Sequence, residues 1–439
     1  MRWNWIGADN ATLSHALAGC TLGGVAQQTK RGGRTEALRA LDSYDPSQYG
    51  RTRNHVDAPV SQLSAFLRHG CLDAVEVRAN LQSRFGHQPE MLEEFLRQLA
   101  WRDFFEKVLD YYGTALNDDL EEPKHSVPRT DALPADIARG NTGLPCMDGM
   151  LSELFTDGYL HNHERLWFAA YVCHFRGVHW KHGAKLFRQY LYDGDTASNA
   201  SSWQWVESTF ASKPYFMNAE NIAKFSSRKW CATCTVKCPF DADYPTLERR
   251  LFNNGRAPLG MMPQRPQPSG DTAVSVRPEQ RTDAVSPGPV LVWLHDASLS
   301  PTTPAVLANP EAARVFVWDT PALQEEPWAF HRLAFVSDSV RELLGTDTRN
   351  EVLLGEPGEQ LLALAHQMQV REVHVTDHPN PQVRGVIEFL KRKFRVVVHP
   401  RRVLSEYTGE PRRFSKHWER CAEQVLGYHP KRGPKKIHQ

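Results

Sequence analysis

From Gly255 to Pro289 the chain reads GRAPLGMMPQRPQPSGDTAVSVRPEQRTDAVSPGP, rich in Pro, Gly, Gln and Ser and poor in aromatics. Such a stretch has too little apolar surface to hold a fixed fold and reads as a disordered linker. At 439 residues the chain is long for one core, and this stretch separates two unlike halves. The expected units are a helical domain over 1–254, the linker over 255–289, an α/β domain over 290–425 and a short basic tail over 426–439.

The two sides have different periods. In MLEEFLRQLAWRDFFEKVLDYY (91–112) the apolar residues return at helical spacing, LSELFTDGYLHNHERLWFAAYVCHF (151–175) reads as two helices broken near Gly158, and KHGAKLFRQYLY (181–192) reads as a third. Beyond the linker, short β-branched runs at 290–294, 314–318, 352–355, 372–376 and 394–399 alternate with helical patterns. That alternation predicts a parallel, doubly wound sheet. No G-x-G-x-x-G follows its first strand, so an ordinary dinucleotide site there has no support.

Bulk charge narrows the partners. Lys and Arg total 52 against 51 Asp and Glu, so nucleic acid must be met by a local patch rather than a global field. The first twenty residues lack a continuous apolar core, and no run approaches the ~20 apolar residues of a membrane span. The expectation is a soluble, cytoplasmic protein with no membrane contact. In that compartment eight cysteines point towards metal or redox chemistry rather than disulfides.

Gln98, Trp101, Arg102 and Phe105 share one helical face, either as a wall for a planar ligand or as a core indole beside a surface Arg. HNHER (161–165) sets Asn162 and Arg165 one turn apart, while His161 and His163 do not share a face and read as structural. DGDTASNASSWQW (193–205) packs Asp193, Asp195, Asn199, Trp203 and Trp205 into thirteen residues. Arg165 can pair with either acid or bind an anionic group. Asn199 both donates and accepts, which suits a heterocycle edge, and the indoles either stack on flat partners or fill a core. Together these residues describe a planar aromatic ligand bearing hydroxyls or ring nitrogens.

Four ordered motifs make the reading specific: SQLSAFLRHG (61–70), WRDFF (101–105), HNHER and the DGD segment. Over roughly residues 32–255 the chain resembles the flavin domain of the photolyase/cryptochrome family. The resemblance implies an all-helical domain holding a U-shaped FAD. Tyr49 and Ser61, Gln62, Leu63 and Ser64 would contact its phosphates and ribityl chain, and Arg102, Asn162 and Arg165 would line the cavity. Asp193 and Asp195 would meet the folded flavin, with Asn199 at flavin N5. Trp101 and Trp205 match the indoles that flank a flipped-out pyrimidine dimer, with Gln98 where enzymes for that lesion usually carry a glutamate. Trp203 and Trp180 match the first two positions of the photoreduction chain. No Trp stands at its surface position in PKHSVPRTDALP (123–134), so Trp230 or a tyrosine would replace it.

WCATCTVKCPFDADY (230–244) contains C-x2-C-x3-C, three soft ligands on one loop. On its own this leaves cysteine-ligated zinc and an iron–sulfur cluster open. The surrounding residues resemble the iron–sulfur bacterial cryptochromes and photolyases, which implies a [4Fe–4S] cluster on Cys146, Cys231, Cys234 and Cys238. The spacing to the third loop cysteine is shorter than in that group, which keeps zinc as the alternative. Cys20, Cys71, Cys173 and Cys421 read as buried thiols.

Residues 290–307 and 394–404 resemble the first and last strand regions of the family's antenna domain, which normally precedes the flavin domain. The inferred chain is therefore circularly permuted. HDASLS (295–300) replaces the usual arginines after the first strand, so the antenna chromophore is unknown. The functional expectation is blue-light repair of UV-damaged DNA, with cyclobutane dimers favoured over 6-4 photoproducts. Asn162 and Leu166 stand where the 6-4 enzymes carry histidines. Arg51, Arg53 and Lys213 are candidates for a DNA-binding rim. The rival is a cryptochrome-like photoreceptor that signals through a partner protein; a light-independent flavoprotein is a third reading.

Overall fold

The computed structural model describes residues 1–23, 28–125, 129–252 and 289–429. The expected linker, apart from Pro289, and most of the basic tail lie outside these described residues.

The first half is helical, as its period requires. Glu93–Tyr112 begins with Glu93 and Glu94, whose charges suit the positive helix start, and stops at Gly113 with φ 54°. It buries Phe95, Leu96, Leu99, Ala100, Phe104 and Val108. The expected break at Gly158 is real: Pro145–Asp157 ends there at φ 62°, and Asn162–Ala170 follows. His161 caps that second helix by accepting from His163 N–H, while Glu164 accepts from His161 N–H. The His161 side chain is thus a helix cap, and the His163 ring stacks on Phe225 with centroids 5.3 Å apart. Trp180–Tyr190 and Ala197–Glu207 complete the core, packed on each other and, through Ala197–Glu207, on Glu93–Tyr112.

The strands are β1 (Thr21–Leu22), β2 (Val290–Leu294), β3 (Ala313–Asp319), β4 (Trp328–Ala329), β5 (Glu351–Gly355), β6 (Glu372–Thr376) and β7 (Arg395–His399). Five form one parallel sheet in the order β5-β3-β2-β6-β7. The chain runs from β2 outwards to β5, then returns to the other side of β2, which makes a doubly wound sheet with its switch point between β2 and β6. Both faces are covered, so the central strands read as continuous apolar runs: Leu291, Val292, Trp293 and Leu294 are all buried.

Two couplings were not visible in the local pattern. Met1–Trp3 run antiparallel along β5, with Trp3 N–H donating to Val352 O at 2.9 Å and Leu354 N–H to Met1 O at 2.8 Å. They cover an edge that would otherwise present unpaired backbone groups. At the other end, helix Phe414–Leu426 packs on Glu93–Tyr112. The first and last described segments therefore each lie against the opposite half of the chain.

Candidate functional site

The DGD segment is a turn between two helices, and its acids meet two arginines from two further helices. Arg165 Nη2 lies 3.0 Å from Asp193 Oδ2, and Arg102 Nη1 lies 3.3 Å from Asp195 Oδ2. Arg102 also pairs with Glu106 at 3.1 Å. Burial pushes the Asp193 carboxyl up, but Arg165, the Ser64 hydroxyl and Arg102 outweigh it and hold the group below its ordinary range. Asp195 accepts Ser198 N–H at 2.6 Å and so anchors the start of Ala197–Glu207.

The turn is clamped from behind. Gly194 O accepts from Arg68 Nε at 3.2 Å and from Arg332 Nη2 at 2.5 Å. A Cβ on Gly194 would stand 2.9 Å from Arg188 Cα and O and 3.0 Å from Arg332 Nη1, so a close approach, rather than a special φ, requires glycine here. Arg68 pairs with Asp296 at 2.7 Å across the two halves of the chain. Arg68 sits within the SQLSAFLRHG motif, but Arg332 comes from helix Phe330–Leu344, far away in sequence, and no motif marks it.

The loop ahead of Ser64 is strained at Gln62, whose φ is 50°. Lys30 Nζ donates to Gln62 O at 2.6 Å and lies near Asp193; burial pushes this amine down to about 8. Burial likewise raises Tyr49 and Tyr159 to about 12. Tyr159 stacks below Arg165 at 5.8 Å. Lys30 and Tyr159 were missed because neither belongs to a recognisable spacing. Asn162 opens its helix and is exposed, whereas Leu63 is buried in the core. Asn199 Nδ2 donates to Ala184 O at 2.7 Å, leaving its Oδ1 as an acceptor.

The outer face is more committed than its pattern suggests. Gln98 Nε2 donates to Glu94 Oε1 at 2.9 Å, and Glu94 pairs with Arg53 at 2.9 Å. Trp101 stacks on Phe414 with centroids 3.8 Å apart and planes 14° apart, so at most one indole face remains for another flat group. Trp205 lies half-buried against Tyr215 at 5.5 Å. Arg51 and Lys213 are exposed; Arg53 is half-buried in its pair.

Trp203 and Trp180 are 2% and 1% exposed, the burial expected of core indoles and of relay indoles alike. Gly183 lets helix Trp180–Tyr190 press on the Trp203 ring: a Cβ there would fall 2.1 Å from it. Trp180 Nε1 donates to Asp119 Oδ1 at 2.7 Å. Trp230 lies elsewhere, against Gly149 and the cysteine loop.

Cys146, Cys231, Cys234 and Cys238 line one small pocket with Leu144, Ile222, Trp230 and Phe240. Burial, with Cys231 and Cys238 beside it, pushes the Cys146 thiol up to about 12. Burial and the neighbouring cysteines raise Cys231 and Cys238 too. These three, with Cys234 on the same pocket wall, form a set of soft donors suited to a thiophilic metal. Cys20, Cys71, Cys173 and Cys421 are buried, as expected.

A cavity of about 510 Å³ opens at the carboxyl ends of β2 and β3, between the two halves. Trp293, Phe316, Trp318 and Trp328 supply flat walls, and Arg68, Asp296 and Arg332 supply charge. It lies where a doubly wound sheet offers a ligand crevice.

A family model described as the FAD binding domain of DNA photolyase matches residues 95–231. The deoxyribodipyrimidine photo-lyase of Streptomyces griseus is 37% identical over 152 residues, covering 34% of this chain and 32% of that protein. That of Halobacterium salinarum is 30% identical over 197 residues, 42% of this chain and 41% of the relative. Cryptochrome-2 of Gallus gallus is 28% identical over 217 residues, covering 44% and 36%. The solved Synechocystis sp. PCC6803 cryptochrome aligns over 52% of this chain and 44% of its own, at 22% identity and a TM-score of 0.38. The chain thus spans less than half the length of these curated relatives. Residues 95–231, which hold Arg102, Arg165, Asp193, Asp195 and Asn199, are thus similar to the FAD-binding domain of DNA photolyases.

Proposed function

We propose that the chain is an FAD-dependent protein for blue-light-driven repair of DNA, acting on cyclobutane pyrimidine dimers in preference to 6-4 photoproducts. The observation that carries the reading is the paired Arg102–Asp195 and Arg165–Asp193 constellation, inside the stretch matched to the flavin domain of named photo-lyases. Bound reduced FAD would supply an electron on excitation by light. The chain's own groups would do the rest. The two acids, fixed by their arginines, would orient the cofactor, with Tyr49, Ser61, Gln62, Leu63, Ser64 and Asn162 around it. Asn199 Oδ1, its amide nitrogen already committed to Ala184 O, would accept from an N–H at flavin N5 and hold that proton there.

Trp101 and Trp205 would hold a base extruded from the duplex, since a stacked lesion cannot reach a buried cofactor. Gln98 can donate to such a lesion but supplies no charge. Trp203 and Trp180 would relay electrons inwards. Cys146, Cys231, Cys234 and Cys238 fit a [4Fe–4S] cluster, with zinc the alternative; a cluster would supply one-electron redox capacity or bind the loop structurally. The 510 Å³ cavity fits a second flat ligand, and the α/β half following the helical half fits a circularly permuted order. This reading places the protein in the cytoplasm, which cell fractionation tests.

A second reading, a photoreceptor acting through a partner protein, is favoured by the covered face of Trp101 and the tying of Gln98 to Glu94. The deciding assay is light-dependent reversal of a defined thymine dimer in an oligonucleotide, with reduced flavin and a dark control. Repair under blue light that is lost in Trp101→Ala supports the first reading. Absence of repair by flavin-loaded, photoreducible protein supports the second.

A further inference from the structure

At the C-terminal end of the helix Ala197–Glu207, three side chains meet in the dry interior. One nitrogen each of His125 and His174 and one carboxylate oxygen of Glu207 lie within 4.8 Å of one another. They are 5%, 4% and 0% exposed. His125 Nε2 is held at 3.0 Å from Glu207 O, and His174 Nε2 at 3.1 Å from Val206 O. These carbonyls end the helix Ala197–Glu207, where the backbone carries partial negative charge. Phe252 closes over both rings, with centroids 5.0 and 5.1 Å away.

The cluster is rich in lone pairs and poor in donors. Nδ1 of both histidines and both oxygens of Glu207 are buried without a hydrogen bond of ordinary geometry. Arg129 Nη1 stands 3.8 Å from Glu207 Oε1, too far for a hydrogen bond, while its Nη2 is engaged by Asp119 at 2.7 Å. The Cys173 thiol lies beside Glu207 as a fourth donor. Only the Arg129 charge at 3.8 Å and the Cys173 thiol offset the burial of Glu207, and burial outweighs them, pushing its carboxyl up to about 7.

We propose that His125, His174 and Glu207 bind a divalent transition cation of the zinc class, with the Cys173 thiol completing the set. Two imidazoles and a carboxylate are a common zinc donor set, and His125 Nε2 already lies 3.9 Å from Glu207 Oε1. Closing from the present spacing onto bonds of roughly 2.0–2.3 Å requires side-chain movements of about 1 Å. The site is separate from the four-cysteine pocket and stands whether or not the flavin reading does.

The test is zinc per chain, by elemental analysis, in the full chain after zinc loading and dialysis. About one equivalent is expected to persist in Cys231→Ala, where the cysteine pocket is disabled, and to be lost when His174→Ala or Glu207→Gln is added to that background. Zinc retention unchanged by both of those additions, or none in Cys231→Ala itself, would overturn the proposal. Should the variants fail to fold, anomalous diffraction at the zinc edge from crystals of the unmodified, zinc-loaded chain decides. A peak among the three side chains supports the site, and its absence refutes it.

Discussion

Arg165 and Asp193 are 28 positions apart, yet the fold brings them to 3.0 Å. Residue types and order were legible: the acids, the asparagine and both arginines stand in motifs. Their partners were not, because Lys30, Arg68 and Arg332 reach the turn through tertiary contacts that leave no periodic trace. Lys30 carries a prediction. Its folded pKa is pushed down to about 8 from 10.5. Between those values the unfolded chain holds a proton that the folded chain lacks, so stability of the flavin-free protein gains a contribution as pH rises through that window. The cysteines that burial raises above their usual range act with the opposite sign but equally in both chains. The denaturant-midpoint difference between the unmodified chain and Lys30→Met should therefore shift in favour of the unmodified chain from pH 7.5 to 10; an unchanged difference contradicts the burial assigned to this amine.

At the scale of elements, periodicity carried the reading far. The five runs expected as strands are β2, β3, β5, β6 and β7, and the glycine break at Gly158 separates two helices where expected. Period says which residues face inwards, but not which element covers them. Phe414 shows the gap: it stacks on Trp101 although no local pattern links the two segments. Phe414 is 4% exposed, so Phe414→Ala should cost about 3–4 kcal/mol, near the lower end for a buried phenylalanine. Urea unfolding measures it; a loss below about 1 kcal/mol would mean that the helix Phe414–Leu426 does not clamp Glu93–Tyr112.

At the scale of the whole molecule, composition suggested a division near 255–289 but gave no sign of how the flanking segments join. The joint is built from Arg68–Asp296 at 2.7 Å, the bonds of Arg332 to Gly194 O, the Phe66–Phe335 contact at 5.3 Å and the N-terminal residues along β5. A protease site engineered between residues 260 and 285 should therefore give two fragments that co-elute on size exclusion and keep their flavin. Fragments that separate at once would contradict a joint of this extent.

The central claim is that the turn at Asp193–Asp195 and its arginines hold FAD. Its most direct test is the FAD content of the purified chain, by absorbance and chromatography of the released cofactor, after incubation with excess FAD and desalting. The account predicts about one FAD per chain, and a large loss in Arg165→Ala in protein that remains folded by circular dichroism. No bound FAD in the unmodified chain, or full occupancy in Arg165→Ala, would contradict it.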